Sequence, residues 1–376
     1  MDSDADDVNV VAAGGLESGD LRRLPKPPVL RIEDKWVNTF AVLGSNVIGM
    51  SPGLRNTYDS RSDGDTLTFD TKTGDLALLP DLPNGLRQNS TVLAISAGDD
   101  RLYVIEDGTV YYDDNEFGMG GLHCLKLQQD DDDDTVAHGY RKYEHRWSWC
   151  RASSYLYSST WWFWSCDPKE IPLTPDGITA HAVHPAGRAF FVSVHCYHVK
   201  DHRGRGTFSY DTEHGYWTCH GDWELPFVGQ AHYDQGLNAW VGLHVQRDEH
   251  RGFIPDGHIC ACEVPSLNGL AEPDWKLGTE KLFLEEPERH LDAKLVAIGG
   301  GGRFCLVEIM TMPGVDREEC VGDGEKCVLR LTVFRVKYDD DGELTITDRR
   351  PARSFRMSKY KDCAQICSGY WQAFWA

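Results

Sequence analysis

Three observations predict an all-β fold for this 376-residue chain, built as a β-propeller of four-stranded blades. Short apolar runs broken by Gly, Pro, Asn and Asp follow one another from Trp36 onward, with few stretches of helical period. One phrase occurs twice, 141 positions apart (aspartates at 70 and 211). Thr68-Phe69-Asp70-Thr71 precedes Gly74 and Leu78-Leu79-Pro80, while Ser209-Tyr210-Asp211-Thr212 precedes Gly215 and Leu225-Pro226-Phe227. Each copy reads as a strand ending on an aromatic, an Asp-Thr turn with Gly nearby, and a strand closing on a Leu/Pro corner. Such recurrence marks repeat architectures. Finally, turn signals every ~8–12 residues across the chain exceed what one sandwich accommodates. Radial repetition handles that many strands while leaving only short edges. An offset spanning three units gives about 47 residues per unit, the size of a blade. The count is then six blades, with seven as the alternative, because segments 128–145 and 310–330 blur the phase.

Taken in order, residues 1–30 are acidic and Pro-rich, close on Pro25-Lys26-Pro27-Pro28, and are expected to be a flexible lead-in. Residues 31–376 form a single propeller domain. Val37–Leu43 and Val47–Met50 pair around Gly44-Ser45-Asn46, and Thr66–Phe69 precedes Leu76–Leu79. Val92–Ile95 and Leu102–Ile105 flank Gly98-Asp99-Asp100; Val110–Tyr112 and Leu122–Leu127 follow. Ala180–Val183 turns at His184-Pro185-Ala186-Gly187 into Ala189–Val194, and Thr207–Tyr210 turns into Tyr216–Cys219. Ala231–Tyr233 turns at Asp234-Gln235-Gly236 into Ala239–Leu243, and Ile259–Val264 precedes Trp275-Lys276-Leu277. Leu295–Ile298 turns on Gly299-Gly300-Gly301-Gly302 into Phe304–Glu308, and Leu329–Val336 turns at Asp339–Gly342 into Glu343–Ile346. Short Gly/Asn/Asp loops between apolar runs are hairpin chemistry. The best helical candidate is Glu286–Lys294. Ring closure is left open between a strand from 36–50 and one from 344–375.

Composition narrows the function. Hydrophobic residues at 41% and aromatics at 11% supply a core. A net charge of −21 with no Lys/Arg run beyond two repels phosphate backbones, which excludes a nucleic-acid partner. No apolar run approaches the ~20 residues of a membrane helix. The acidic opening Met1-Asp2-Ser3-Asp4 is unlike a signal or transit peptide. A cytoplasmic or nuclear protein follows, with its twelve cysteines as thiols.

No residue set forms a coherent catalytic centre. His195-Cys196-Tyr197-His198, with His202, Cys219-His220, His258, Cys260 and Cys262, gathers soft ligands, and His198/His202 have zinc spacing. On a strand, however, His195 and Cys196 point to opposite faces, so no metal is expected. The four glycines lack the Gly-Lys-Ser/Thr of a phosphate loop and open a strand, so no cofactor is expected either. Asp130–Asp134 are consecutive acids that repel and stay solvated. Asp70 and Asp211 follow strands and precede Thr, which suits acceptors of turn amides rather than catalytic carboxylates. Trp161-Trp162-Phe163-Trp164 covers both strand faces, as stacked blades require. The competing reading makes Trp161, Trp162 and Trp164 candidate protein-binding residues, since tryptophan is enriched in hot spots. Trp217, Trp223 and Trp240 stand at repeat-phrase positions and read as structural.

The phrases Ala182-Val183-His184-Pro185-Ala186-Gly187-Arg188, Gly206–Thr212 through Gly221–Phe227, Ala239–Leu243, Trp275–Gly278 and Gly302–Glu308 resemble a plant family, expanded in grasses and known as domain of unknown function 1668. The resemblance covers about residues 36–350, with its specific part at 178–308. It implies repeats similar to Kelch and F-box-associated propellers, which are mostly protein-binding platforms. The absence of an N-terminal helical box tells against a ubiquitin-adaptor role. The function expected is a monomeric, non-catalytic module that binds another protein through its loop-bearing face. The alternative is an enzyme or small-molecule binder at the mouth of the central channel. Charged or His groups converging there from different blades would mark that alternative, and an apolar or aromatic rim patch the first.

Overall fold

The computed structural model describes residues 22–23, 39–51, 66–88, 91–98, 100–106, 121–127, 147–154, 169, 171–173, 175–195, 204–248, 252–283, 286–320, 324–357 and 372–375. A two-residue strand, β1 (Arg22–Arg23), comes first. Blade 1 follows as β2 (Thr39–Leu43), β3 (Asn46–Met50), β4 (Thr66–Asp70) and β5 (Leu76–Leu79). A short helix α1 (Asn84–Gln88) leads to blade 2: β6 (Thr91–Ser96), β7 (Arg101–Glu106), β8 (Gly121–Leu127) and β9 (Trp147–Ser154). Blade 3 holds β10 (Ile178–Val183), β11 (Ala189–His195), β12 (Arg205–Asp211) and β13 (Tyr216–Gly221). Blade 4 holds β14 (Phe227–Asp234), β15 (Ala239–Asp248), β16 (Gly252–Glu263) and β17 (Trp275–Lys281). Blade 5 runs β18 (His290–Ala297), β19 (Arg303–Thr311) and β20 (Cys327–Tyr338). Its outer edge is shared by β21 (Leu344–Thr347) and β22 (Arg353–Arg356), which pair with opposite halves of β20. β1 then adds in parallel to β22, so two residues of the 1–30 segment are in a sheet.

Blades 1 to 4 are antiparallel meanders, each strand pairing with the next in order. The first strands of successive blades lie side by side, β2 by β6, β6 by β10, β10 by β14 and β14 by β18. β10 and β14 are hydrogen-bonded in parallel. A row of first strands on the inside, with blades radiating outward, is the propeller arrangement. Five blades lie among the described residues, and the expected count of six is not shown by them. The repeated phrase sits at the third-to-fourth-strand corner of blades 1 and 3, so the offset spans two blades rather than three.

The core is a set of layers between blades. Ala41, Leu43, Ile48 and Met50 of blade 1 meet Leu102, Val104 and Leu125 of blade 2 over Leu82 and Leu86. Tyr103, Ile105 and Leu122 of blade 2 meet Phe190, Val192, Phe208, Tyr210 and Trp217 of blade 3. Ala180, Ala182 and Phe191 of blade 3 meet Phe227, Trp240, Cys260 and Cys262 of blade 4. Val241, Leu243 and Ile259 of blade 4 meet Leu295, Phe304, Phe334 and Val336 of blade 5. Successive residues of one strand thus serve opposite layers: Phe190 faces blade 2 and Phe191 faces blade 4. This period-two division is why central strands such as Arg101–Glu106 read as unbroken apolar runs. Burying each such side chain stabilises the fold by about 1.5–3 kcal/mol.

The helix expected at Glu286–Lys294 does not form. Pro287–Arg289 makes one 3-10 turn and the chain enters β18 at His290. Alternation of buried Leu291, Ala293 and Leu295 with partly exposed His290, Asp292 and Lys294 decides the conformation, because β19 is there to pair with it. The remaining predicted hairpins that fall on described residues are present. Val110–Tyr112 lies outside the described residues, as does the Asp130–Asp134 run. Among the described residues, no helix is long and apolar enough to cross a membrane.

Candidate functional site

Three inner strands, β10, β14 and β18, carry polar residues at alternate positions, and several of these line one cavity. β10 reads Ile178-Thr179-Ala180-His181-Ala182-Val183, with Ala180 and Ala182 in the blade 3–4 layer and His181 on the other side. β14 offers Gln230 and His232 around buried Ala231, and β18 offers Asp292 and Lys294 around buried Ala293. Four of the five inner strands also have a register irregularity near their start: Thr91/Leu93 in β6, Ile178/Ala180 in β10, Val228/His232 in β14 and His290/Asp292 in β18. Such bulges re-aim side chains and part neighbouring strands. In β14, Gly229 takes φ +69°, a conformation that suits glycine.

Between these strands lies a cavity of about 430 Å³. Leu93 and Ala94 of β6, Thr179 and His181 of β10, Val228 and Gln230 of β14, and Asp292 and Lys294 of β18 line it. Gln246, Asp256, Lys281, Phe283 and Arg317 form its outer part, together with Gln372 and Ala373 near the C-terminus. The volume is within the ~300–1,000 Å³ of small-molecule sites.

The electrostatics follow from depth. His181 is half-buried and lines the cavity. Burial first, and then the charges of His232 and Lys294, push it down to about 3. It is a neutral ring at physiological pH, and no hydrogen bond to it forms among the described residues. His232 donates from Nε2 to the Leu295 carbonyl at 2.9 Å, tying blade 4 to blade 5, and burial lowers its pKa despite that bond. Lys294 Nζ is 4.0 Å from Asp292. Burial works to raise the Asp256 carboxyl, but His244 Nδ1 at 2.8 Å and the His258 amide at 2.9 Å hold it below its ordinary value. On the blade 5 side, His290 stacks on Phe283 at 4.5 Å and lies 3.5 Å from Glu308, which Arg330 meets at 2.6 Å. Burial pushes Glu308 up to about 7 against the pull of Arg330.

The residues singled out from sequence fall elsewhere. Asp70 Oδ1 accepts the Lys72 amide, and Asp211 Oδ1 accepts those of Glu213 and His214, all at 2.8 Å. Gly74 and Gly215 close both turns at positive φ. Asp339 repeats the device in blade 5, accepting the Asp341 and Glu343 amides. Trp240 donates to Val183 O and Trp223 to His220 O, and Trp217 lies 3.3 Å from Ser153 Oγ, each as a structural group. His195 pairs with Glu224 at 2.9 Å, which Arg205 also meets. His220 donates from Nδ1 to Gly269 O and accepts at Nε2 from Ser209, which fixes it as a neutral bridge. Cys260 and Cys262 are buried in the blade 3–4 layer. Among the described residues, no three His, Cys, Asp or Glu side chains gather as a metal site would require. Trp161, Trp162 and Trp164 lie outside the described residues, as do Cys196, His198 and His202. Sequence reasoning missed the cavity groups. The available signal was the polar residue at every second place in the first strand of a blade.

The geometry defines a β-propeller with a cavity of mixed polar and apolar lining beside its inner strands. The chain belongs to the family described as Protein of unknown function (DUF1668), whose model matches residues 4–355. No curated protein matches it. Among solved structures it is similar to a xylan beta-1,4-xylosidase from Bacillus halodurans C-125, with 14% identity, 86% of this chain and 58% of that one covered, and a TM-score of 0.34. Phage phi92 endosialidase gives 8% identity, coverages of 86% and 57%, and a TM-score of 0.40. The β-propeller domain of the Trilobed protease from Pyrococcus furiosus gives 10%, coverages of 86% and 98%, and a TM-score of 0.35. The chain spans about half the length of the xylosidase and prolyl endopeptidase structures it matches. Likeness at this level transfers no activity, and the propeller assignment stands on the sheet topology of this chain.

Proposed function

We propose that this propeller is a recognition module that holds a small polar molecule in its central cavity. The observation that carries the reading is the convergence of His181, Gln230, Asp292 and Lys294, from three different blades, on one cavity of about 430 Å³. Neutral His181 offers a hydrogen bond, while Lys294 and Asp292 offer opposite charges 4.0 Å apart. Leu93, Val228 and Phe283 add apolar contact, so a ligand with a polar head and an apolar part fits the lining. The test is a thermal-shift screen of polar metabolites, followed by calorimetry on Lys294→Met and His181→Leu. Ligands that raise Tm in the native protein should lose at least tenfold in affinity in either variant. Equal affinity in all three proteins would sink the reading.

A protein partner is the second reading, favoured by apolar side chains on outer strands. Leu76 and Leu78 of β5 are 58% and 73% exposed, and Trp275 and Leu277 of β17 are exposed as well. Such rim patches mark interaction surfaces. Leu78→Asp should abolish capture of a partner that the cavity variants still retain. Kelch-like character, plant origin and a cytoplasmic or nuclear location belong to this proposal. The last is supported by the described cysteines, which form no disulfide with one another, as a reducing compartment keeps them.

A further inference from the structure

We propose that Cys124 and Cys150 form a redox-reactive dithiol, a modification site that a hydroperoxide converts into a disulfide between the third and fourth strands of blade 2. The two residues are direct partners in the β8–β9 register, so their side chains leave the sheet on the same face, toward the blade 2–3 layer. Directly opposed residues hold their Cβ atoms about 4.5–5.5 Å apart. A disulfide needs about 3.5–4.5 Å, so closure requires a small approach of the strands. β9 is the outer strand and pairs on one side only, and the ladder already slips at Leu122/His123. Both thiols are free, with Cys124 buried and Cys150 half-buried, so one sulfur is reachable by a small oxidant.

The neighbours divide the labour. Cys150 is held at about 6, first by the facing Cys124 thiol, against the pull of burial, and then by the charge of Lys126. Cys124 is driven the other way by its facing partner Cys150 and by burial. Arg101 of β7 favours the Cys150 thiolate, and Tyr103 of β7 and Tyr210 of β12 complete its surroundings as neutral phenols. The Cys150 thiolate attacks one peroxide oxygen, the O–O bond breaks, and hydroxide leaves and takes a proton from solvent to become water. The Cys150 sulfenic acid is then attacked by Cys124 sulfur, the S–O bond breaks, and the thiol proton leaves with hydroxide as a second water. Two thiols are oxidised to a disulfide and one hydroperoxide is reduced.

The magnitudes choose the experiment. A thiol near 6 has roughly 30 times more thiolate at pH 7 than one near 8.5. Its lower basicity costs about 10- to 20-fold in nucleophilicity. The rate at pH 7 therefore changes little, and the pH midpoint of reaction is the telling quantity. Full-length reduced protein is treated with graded hydrogen peroxide at pH 7, blocked with maleimide, and mapped by peptide mass spectrometry without reductant. The expected result is a Cys124–Cys150 linked peptide lighter by two hydrogen atoms, reversed by dithiothreitol and absent in Cys150→Ser. In Cys124→Ser, dimedone should trap Cys150 as its sulfenic acid. Folded protein that yields no such peptide, or links Cys150 elsewhere, overturns the proposal. Should Cys124→Ser fail to fold, the iodoacetamide profile of Cys150 in the unaltered protein decides alone. A midpoint near pH 6 supports the proposal and one near 8.5 overturns it.

Discussion

At the scale of single residues, the aspartates of the repeated phrase are anchors for turns, and their worth can be ranked. Asp211 accepts two backbone amides and meets His214 at 3.0 Å, whereas Asp70 accepts the Lys72 amide from a more open position. Asp211→Ala should cost about 1 kcal/mol in urea unfolding, and Asp70→Ala less. This role was legible from sequence, because an acid between a strand and a Gly-bearing turn has a local job. The environment of Gly85 was not legible. A Cβ there would overlap the carboxylate of Glu106, which is fully buried beside His123 at 3.4 Å. Those groups are 21 and 38 positions away, and only the tertiary fold brings them to α1. Gly85→Ala should lower stability by about 1–3 kcal/mol through overpacking, read as a reduced urea midpoint at unchanged slope.

At the scale of elements, strand pairing was readable and strand position was not. Alternation and turn chemistry are local, so Ala180–Val183 with Ala189–Val194 could be paired on sight. Whether a strand lies inside or outside the ring depends on its order within a blade, and unequal loops hide that order. Glu286–Lys294 shows the same limit: a short polar-rich stretch with a helical composition becomes an inner strand because β19 offers it a ladder. The inner strands set a pH signature. The folded His181 stays neutral down to about pH 3, while in the unfolded chain the ring takes its proton near 6.5. Stability is therefore full above 6.5 and declines as pH falls toward 3, by at most about 1.4 kcal/mol per unit. His181→Asn should flatten that slope in denaturation measured at pH 4, 5, 6 and 7. An unchanged slope would mean that other groups govern acid sensitivity.

At the scale of the whole molecule, adjacent blades are joined by side chains as well as by layers. Asp234, 7% exposed, accepts the Leu237 amide of its own turn and, through Oδ2 at 2.7 Å, the Gly302 amide of the four-glycine turn in blade 5. Gly302 has φ +68°, and a Cβ there would lie 2.8 Å from Val336 O. Asp234→Ala should cost about 1.5–3 kcal/mol, as hydrogen bonds to charged groups do. Gly302→Ala should be destabilising through strain and contact together; both are checked by the midpoint of tryptophan-monitored unfolding. The two-blade span of the repeat was hidden for a related reason: the inner strands begin at Thr39, Thr91, Ile178, Phe227 and His290, and such uneven steps defeat a fixed period. Those strands have a further consequence. Phe283, which follows β17, and Arg317, which follows β19, line the same cavity from connections outside the inner strands. On the proposed function, exchanging either connection would change what the cavity accepts and leave the inner ladders intact. Under that function, chains sharing this architecture would be free to diverge in ligand by loop replacement, much as one lock body accepts different keyways.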